Sequence, residues 1–323
     1  MGELIAGAWR RSGLESVLAD GELRRPPSVF RNWITTEGDG PFKAEPGRYH
    51  LYVSLACPWA HRTLIMRNIK GLTELVGLSV VHWLMGDDGW TFSPGPGVIP
   101  DVVKGAKFLH ELYTIADPIC TSRATVPVLW DKYTGRIVSN ESSEILRMFN
   151  TAFDGCGAAV ADYYPIEHRV EIDAVNARVY ATLNNGVYRA GFATTQAAYE
   201  VAAGEVFETL DWLEQRLARQ RYLVGGDLTE ADIRLFTTLV RFDPVYHGHF
   251  KCNRRALIDY PALWAYTRDL YQHPAIRPTV DLRHVKGHYY GSHPWLNPSG
   301  IVPIGPVRDF DLHSGRENLE ERR

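Results

Sequence analysis

The stretch Tyr49 to Leu72, YHLYVSLACPWAHRTLIMRNIKGL, constrains the fold more than any other part of the chain. Tyr49 to Leu55 alternates and is rich in β-forming residues, which predicts a strand. Pro58 suits a first helical position, where its missing N–H costs nothing. From Trp59 onward, Ala60, Leu64, Ile65 and Ile69 recur at helical spacing, and Gly71 marks the stop. Cys57 then falls at the helix N-cap. Unpaired backbone N–H groups and the positive end of the helix dipole point at its sulfur there. A thiol in that position is expected to have a lowered pKa. The bland alternative is a buried core cysteine, and the Cys-Pro order at a strand-to-helix junction weighs against it. Ala60 stands where a Cys-x-x-Cys pair would carry its second thiol. A mixed disulfide on Cys57 would therefore be resolved by an outside thiol.

The other cysteines, Cys120, Cys156 and Cys252, show no paired spacing. That argues against a disulfide framework and for a reducing compartment. The first residues lack an apolar signal core, and no run approaches the ~18 apolar residues of a membrane span. The expectation is a cytoplasmic protein with no membrane contact. Net charge is −3 with no basic block, so nucleic acid is not an implied partner.

The 323 residues are enough for two domains. Residues 1–46 read as a coil that packs on the fold through Trp9, Phe30, Trp33 and Phe42. Residues 47–153 read as an α/β unit. After Tyr49 to Leu55 and its helix, Leu78 to Leu84 predicts a second strand. Gly86 to Asp101 is a long Gly- and Pro-rich loop carrying Trp90, and long loops in compact domains are often functional. Lys104 to Ile115 predicts a short helix. Thr125 to Trp130 and Arg136 to Ser139 predict strands, with Pro127 marking an edge, a bulge or a cis bond. Ser139 to Asn150 predicts a helix. Residues 154–165 are a linker. Residues 166–290 read as all-helical, with helices over Ile166 to Val187, Gln196 to Arg219 and Pro261 to His273. Another starts at a capping box formed by Thr229 and Asp232. Residues 291–323 read as an extended tail.

Three features coincide: Cys-Pro-Trp-Ala at a strand-to-helix turn, Thr-Val-Pro-Val-Leu followed by Asn-Glu-Ser-Ser-Glu, and a helical second half with a Thr-x-x-Asp cap. The chain resembles the glutathione transferase superfamily, and within it the glutathionyl-hydroquinone reductases, or Xi class. The Gly86–Trp90 loop, Arg241-Phe242-Asp243, His249 to Asn253, and His288-Tyr289-Tyr290 with Ser292-His293 carry the narrower resemblance. It implies a thioredoxin-like N-terminal domain, an all-α C-terminal domain and a homodimer, with glutathione as co-substrate and no metal. It implies glutathione contacts from Trp90, Arg123, the backbone of Val126 before a cis-Pro127, Glu141 and Ser142. Glu141 and Ser142 also have a reading as helix caps alone. The resemblance implies three tyrosines near Cys57: Tyr188, Tyr246 and Tyr289.

The activity it implies is removal of glutathione from a glutathionyl-hydroquinone through a Cys57–glutathione mixed disulfide, giving hydroquinone and oxidised glutathione. The nearest rival is an omega-like thioltransferase or dehydroascorbate reductase, which uses the same cysteine. A non-catalytic module of the same fold is a third reading, which the kept thiol disfavours. His247, His249 and Cys252 have the residue types of a zinc site, without a fourth ligand at an expected spacing.

Overall fold

The computed structural model describes residues 2–36 and 40–319. Its organising element is a four-stranded sheet. The first four strands precede it in two hairpins, β1 (Gly2–Ile5) with β2 (Ala8–Arg11) and β3 (Leu18–Ala19) with β4 (Glu22–Leu23). Strand β5 (Tyr49–Val53) is buried along its whole length. That is what a central strand covered on both faces requires. It runs parallel to β6 (Val76–Val80) and antiparallel to β7 (Val128–Asp131), which pairs with β8 (Arg136–Ser139). Helix α1 (Pro58–Ile69) makes the crossover between β5 and β6. Helix α2 (Leu109–Ala116) and α3 (Ser142–Thr151) complete this thioredoxin-like unit.

Several boundaries differ from the sequence expectation. Strand β6 ends at Val80, opposite the end of β5 at Val53, instead of running to Leu84. Helix α2 starts at Leu109, not Lys104. Gly105 has a positive φ, and Asp101 gathers the N–H groups of Val103, Lys104 and Ala106 into a non-helical turn. Strand β7 starts at Val128, because Pro127 offers no N–H and both backbone groups of Thr125 bond the Tyr113 hydroxyl.

The second unit is all-helical: α4 (Arg169–Val179), α5 (Gly186–Gly191), α6 (Gln196–Leu217), α7 (Glu230–Arg241), α8 (Pro261–Tyr271) and α9 (Leu282–Ser292). The single helix expected over Ile166 to Val187 is broken. A short 3-10 turn leads into α4, and a widened π-type turn, Tyr180–Asn184, separates α4 from α5. Helix α7 begins at the expected cap: the Thr229 N–H and hydroxyl both donate to Asp232 Oδ2 at 2.9 Å.

In the N-terminal segment Leu4, Leu23, Ile34 and Phe42 are buried and Trp9 and Phe30 partly so, whereas Trp33 is exposed, and the segment holds the two hairpins where coil was expected. Two- to four-residue strands leave too short an alternation to be read in sequence. The segment straps both units. Asn32 N–H bonds the Val138 carbonyl beside the sheet, and Thr194 N–H bonds the Gly21 carbonyl beside the helices. The tail beyond α9 is mostly irregular but docked, with Phe310 and Arg316 buried. Among the described residues no helix is long and apolar enough to cross a membrane.

Candidate active site

Cys57 is the N-cap of α1, and Pro58 occupies the first turn. The turn before it is locked from the other unit. Arg241, at the end of α7, is buried and donates from Nε to the Ala56 carbonyl at 2.8 Å and from Nη2 to the Leu55 carbonyl at 2.9 Å. Its Nη1 reaches the Thr237 carbonyl at 2.7 Å and His61 Nδ1 at 2.9 Å. A buried guanidinium bonded through each of its three nitrogens is a rigid peg, and this one fixes the backbone that carries the thiol.

The thiol opens on a cleft of about 450 Å³ between the two units. Its sulfur lies 3.6 Å from the Val126 carbonyl, and the Val126–Pro127 bond is cis. Burial pushes the Cys57 thiol up. The N–H groups of Ala60 and Trp59 and the charges of Arg241 and Arg25 pull it down without prevailing. This corrects the expectation of a lowered pKa. The helix end acts as expected, but the part-buried sulfur sits in a largely apolar cleft, and desolvation penalises the thiolate more than the dipole favours it.

All five residues expected to touch glutathione line this cleft. Trp90 stacks on His288 with ring centroids 4.7 Å apart. Glu141 is the N-cap of α3 and accepts from the Ser143 N–H at 3.1 Å, so it does serve as a helix cap. Its second oxygen accepts from the Ser28 hydroxyl at 3.1 Å. Although burial opposes it, these bonds and the charge of Arg62 hold its carboxyl below the usual range. Ser142, buried, is the first residue of α3. Arg123 is partly buried and reaches the Ser16 hydroxyl at 3.4 Å. A carboxylate and a helix N-terminus side by side offer one partner for an ammonium and one for a carboxylate.

The three tyrosines come together from separate elements: Tyr188 from α5, Tyr246 from the widened turn after α7, and Tyr289 from α9. Tyr289 and Tyr188 share a short hydrogen bond between hydroxyls, and Tyr246 joins Tyr289 at 3.2 Å. Tyr188 and Tyr289 line the cleft directly; Tyr246 supports them through that bond. Burial raises all three phenols, Tyr188 and Tyr289 well above their ordinary value, so they stay protonated.

His249 does not group with His247 and Cys252 as a ligand set. Its Nε2 pairs with His293 Nδ1 at 3.0 Å. Among the described residues no three histidine, cysteine or acidic side chains are arranged to hold a metal. The sequence reading gave no role to Trp59, Arg25, His288 or His293, all of which line the cleft. For Arg25 the available signal was the run Arg24-Arg25-Pro26-Pro27, a basic pair followed by stiff extended chain.

A capped thiol on a thioredoxin-like sheet, facing a helical unit across a cleft, is the arrangement of the glutathione transferases. Family sequence models for the glutathione S-transferase N-terminal and C-terminal domains match residues 56–152 and 196–269. The chain is 56% identical to the glutathionyl-hydroquinone reductase PcpF of Sphingobium chlorophenolicum, over 95% of this chain and 97% of that one. It is 53% identical to the glutathionyl-hydroquinone reductase YqjG of Escherichia coli K-12, over 98% and 99%. The glutathione-bound structure of YqjG superimposes with a TM-score of 0.90 at 52% identity, covering 98% of this chain and 99% of that one. An Xi-class transferase from Natrialba magadii superimposes with a TM-score of 0.93 at 46% identity, covering 99% and 97%. The chain belongs to the glutathione transferase superfamily, in its Xi-class, glutathionyl-hydroquinone reductase branch.

Proposed function

We propose that the protein removes glutathione from glutathionyl-hydroquinones. The observation that carries this reading is the single thiol of Cys57 at the α1 N-terminus, with Ala60 in place of a resolving cysteine, opening between a peptide-like groove and a wall of phenol hydroxyls. The names of the close relatives support it.

In the first half-reaction Cys57 attacks the glutathionyl sulfur. The S–C bond to the ring breaks, a Cys57–glutathione disulfide forms, and the proton lost by the thiol is balanced by one that the released ring product takes up from solvent. In the second half-reaction the thiolate of another glutathione attacks the disulfide. Cys57 regains its proton, and oxidised glutathione leaves. The first step requires a leaving group better than an aryl carbanion. A ring hydroxyl conjugated with the C–S bond allows a keto form, from which attack at sulfur expels an enolate oxygen. Tyr188 and Tyr289, held protonated, are suited to donate to that oxygen, with Tyr246 behind them. Trp90, Arg123, the Val126 backbone, Glu141 and Ser142 hold the glutathionyl half. Four unpaired cysteines suit a reducing, cytoplasmic setting, and a homodimer is the assembly to be sought by sedimentation.

Intact-protein mass spectrometry after incubation with a glutathionyl-hydroquinone tests the reading. One added glutathione, mapped to Cys57, with hydroquinone released, is the expected result. Release without an adduct, or an adduct confined to another cysteine, rejects it. Comparable turnover of dehydroascorbate moves the assignment to the omega-like thioltransferases.

A further inference from the structure

The departing ring oxygen carries a full negative charge, while the tyrosines that face it are neutral donors. The cleft does hold a cation on that side. Arg25 comes from the N-terminal strap. Its guanidinium lies over the Trp59 ring at 5.0 Å and over the Tyr188 ring at 5.1 Å. Its Nε donates to Asn185 Oδ1 at 3.2 Å. Asn185 closes the widened turn, and its neighbour Asn184 accepts from the buried Arg62 at 2.8 Å. Arg62 stacks on the same Trp59 ring at 4.5 Å. The odd turn that breaks the expected helix thus presents consecutive asparagines to two arginines stacked on one indole.

Arg24, next in the chain, is ion-paired with Asp20 at 3.2 Å. Arg25 forms no ion pair among the described residues, although it lines the cleft. The Asn185 bond takes up Nε, so the two terminal amino groups are not used by that anchor. Two aromatic faces and one hydrogen bond fix the plane of the guanidinium. A fixed fork loses less freedom on binding an oxyanion than a mobile side chain does.

We propose that Arg25 is a specificity-determining residue of the aromatic half of the cleft, binding an oxyanion of the substrate, the ring oxygen that becomes charged as glutathione is taken off. This rests on the proposed removal of glutathione. In that step Cys57 gives up its proton and its sulfur forms the S–S bond, the C–S electron pair passes into the ring, and the keto oxygen becomes an enolate. A later proton from solvent gives the neutral hydroquinone. The negative charge travels from Cys57 toward the tyrosines, and Arg25 is the cation stacked between Trp59, two residues from that thiol, and Tyr188. The second source of an oxyanion is a carboxylate of glutathione itself. Ser28, three residues along, bonds Glu141 on the glutathione side, so the experiment separates the two.

Arg25→Gln and Arg25→Lys in the full chain are compared with wild type in each half-reaction. Hydroquinone release is timed in single turnovers with glutathionyl-hydroquinones of graded ring acidity, from unsubstituted to dichlorinated. Resolution is timed by adding glutathione to protein carrying the preformed Cys57 disulfide. The expected result is a release step slowed about 10- to 100-fold in Arg25→Gln. Its rate should depend more steeply on ring acidity than in wild type, Arg25→Lys should recover part of the loss, and resolution should stay within about twofold. Arg25 is exposed, so far-ultraviolet dichroism and the urea unfolding midpoint should match wild type. Equal release rates overturn the proposal. A loss of the same size in resolution, or independent of ring acidity, assigns Arg25 to a glutathione carboxylate and overturns the ring-oxygen assignment. If wild type itself releases no hydroquinone, the function proposed above has failed, and this assignment fails with it.

Discussion

The two walls of the cleft differ in what they are made of. The sheet wall is mostly main chain and helix ends: the Val126 carbonyl before a cis proline, the N-terminus of α1 under Cys57, and the N-terminus of α3 under Glu141 and Ser142. Such a wall suits a ligand that is itself a peptide, with few rotatable parts on the protein side. The helical wall is mostly side chain. Tyr188, Tyr246 and Tyr289 come from three elements and meet at their hydroxyls and through ring contacts 5.7–6.3 Å between centroids. On the proposed function, one wall holds glutathione and the other responds to charge. Arg241 joins them by pinning the Leu55–Ala56 turn from the helical side.

The largest expected effect strikes the point where the walls meet. Cys57→Ala should abolish turnover, by at least about 10³-fold, because no other group takes the glutathionyl sulfur. Cys57→Ser should leave at most weak conjugation. Steady-state release of hydroquinone checks both. Residual turnover above a few per cent would separate the chemistry from the capped thiol and dissolve the division between the walls.

Acid should next reveal an asymmetry of stability. On the helical side of the cleft, burial pushes His249 and His288 down to about 4, and lowers His293 well below its ordinary value. The folded protein keeps His249 neutral down to about pH 4, whereas the unfolded chain protonates it near 6.5. Between those values the unfolded state binds more protons, so stability is full above about pH 6.5 and falls as pH drops toward 4. A single such histidine is worth about 3 kcal/mol across that window. Buried His50 on the sheet side adds a similar slope, so total acid sensitivity does not isolate the aromatic wall. His249→Gln does. It should cost stability at neutral pH through its lost bond to His293, yet flatten the drop between pH 6.5 and 4 by about 3 kcal/mol. Urea unfolding at a series of pH values checks this, and an unchanged slope would show that His249 is charged in the folded state.

The same contrast explains what was legible in the sequence. The sheet wall could be read because local signals define it: a strand, then Cys-Pro, then helical spacing, and a Thr-Val-Pro-Val run followed by a capped helix. The Thr229–Asp232 box was legible for the same reason. The helical wall could not be read locally. Nothing in the spacing of Tyr188, Tyr246 and Tyr289 says that they meet, and family resemblance alone pointed to them. The widened turn at Tyr180–Asn184 was invisible because no proline or glycine interrupts it; Asn184 bonding Thr238 at 2.7 Å is tertiary information. The direction of the Cys57 shift was misread because sequence shows the helix end but not the depth of the cleft. Arg25 was missed because it lies in a segment with no periodicity at all.

Tyr289→Phe tests whether the aromatic wall acts on charge or only on shape. It removes the hydroxyl shared with Tyr188 and Tyr246 and keeps the ring. Hydroquinone release should slow about 10- to 100-fold, while resolution of the preformed disulfide by glutathione stays near wild type. Equal slowing of both steps would mean that the hydroxyls organise Cys57 rather than the ring oxygen, and the two walls would share one task.

The smallest effect belongs to Ser142→Ala on the sheet wall. Ser142 is the first residue of α3, one position past the cap. Losing its hydroxyl leaves the Glu141 to Ser143 cap intact, so stability should change by less than about 0.5 kcal/mol. If the hydroxyl holds a glutathione carboxylate, one charge-assisted hydrogen bond is lost. That is about 1–1.5 kcal/mol, or roughly tenfold in the concentration of glutathione needed for half-maximal resolution. The maximal rate should not move, since the contact is the same before and after sulfur transfer. Glu141→Ala makes the control, because it removes both the cap and the expected ammonium partner. Its cost should appear in stability, by about 0.5–2 kcal/mol, as well as in glutathione binding. If Ser142→Ala left binding untouched while Glu141→Ala lost stability alone, the pair would be a helix cap and nothing more. The holding function of the sheet wall would then rest on Val126, Trp90 and Arg123.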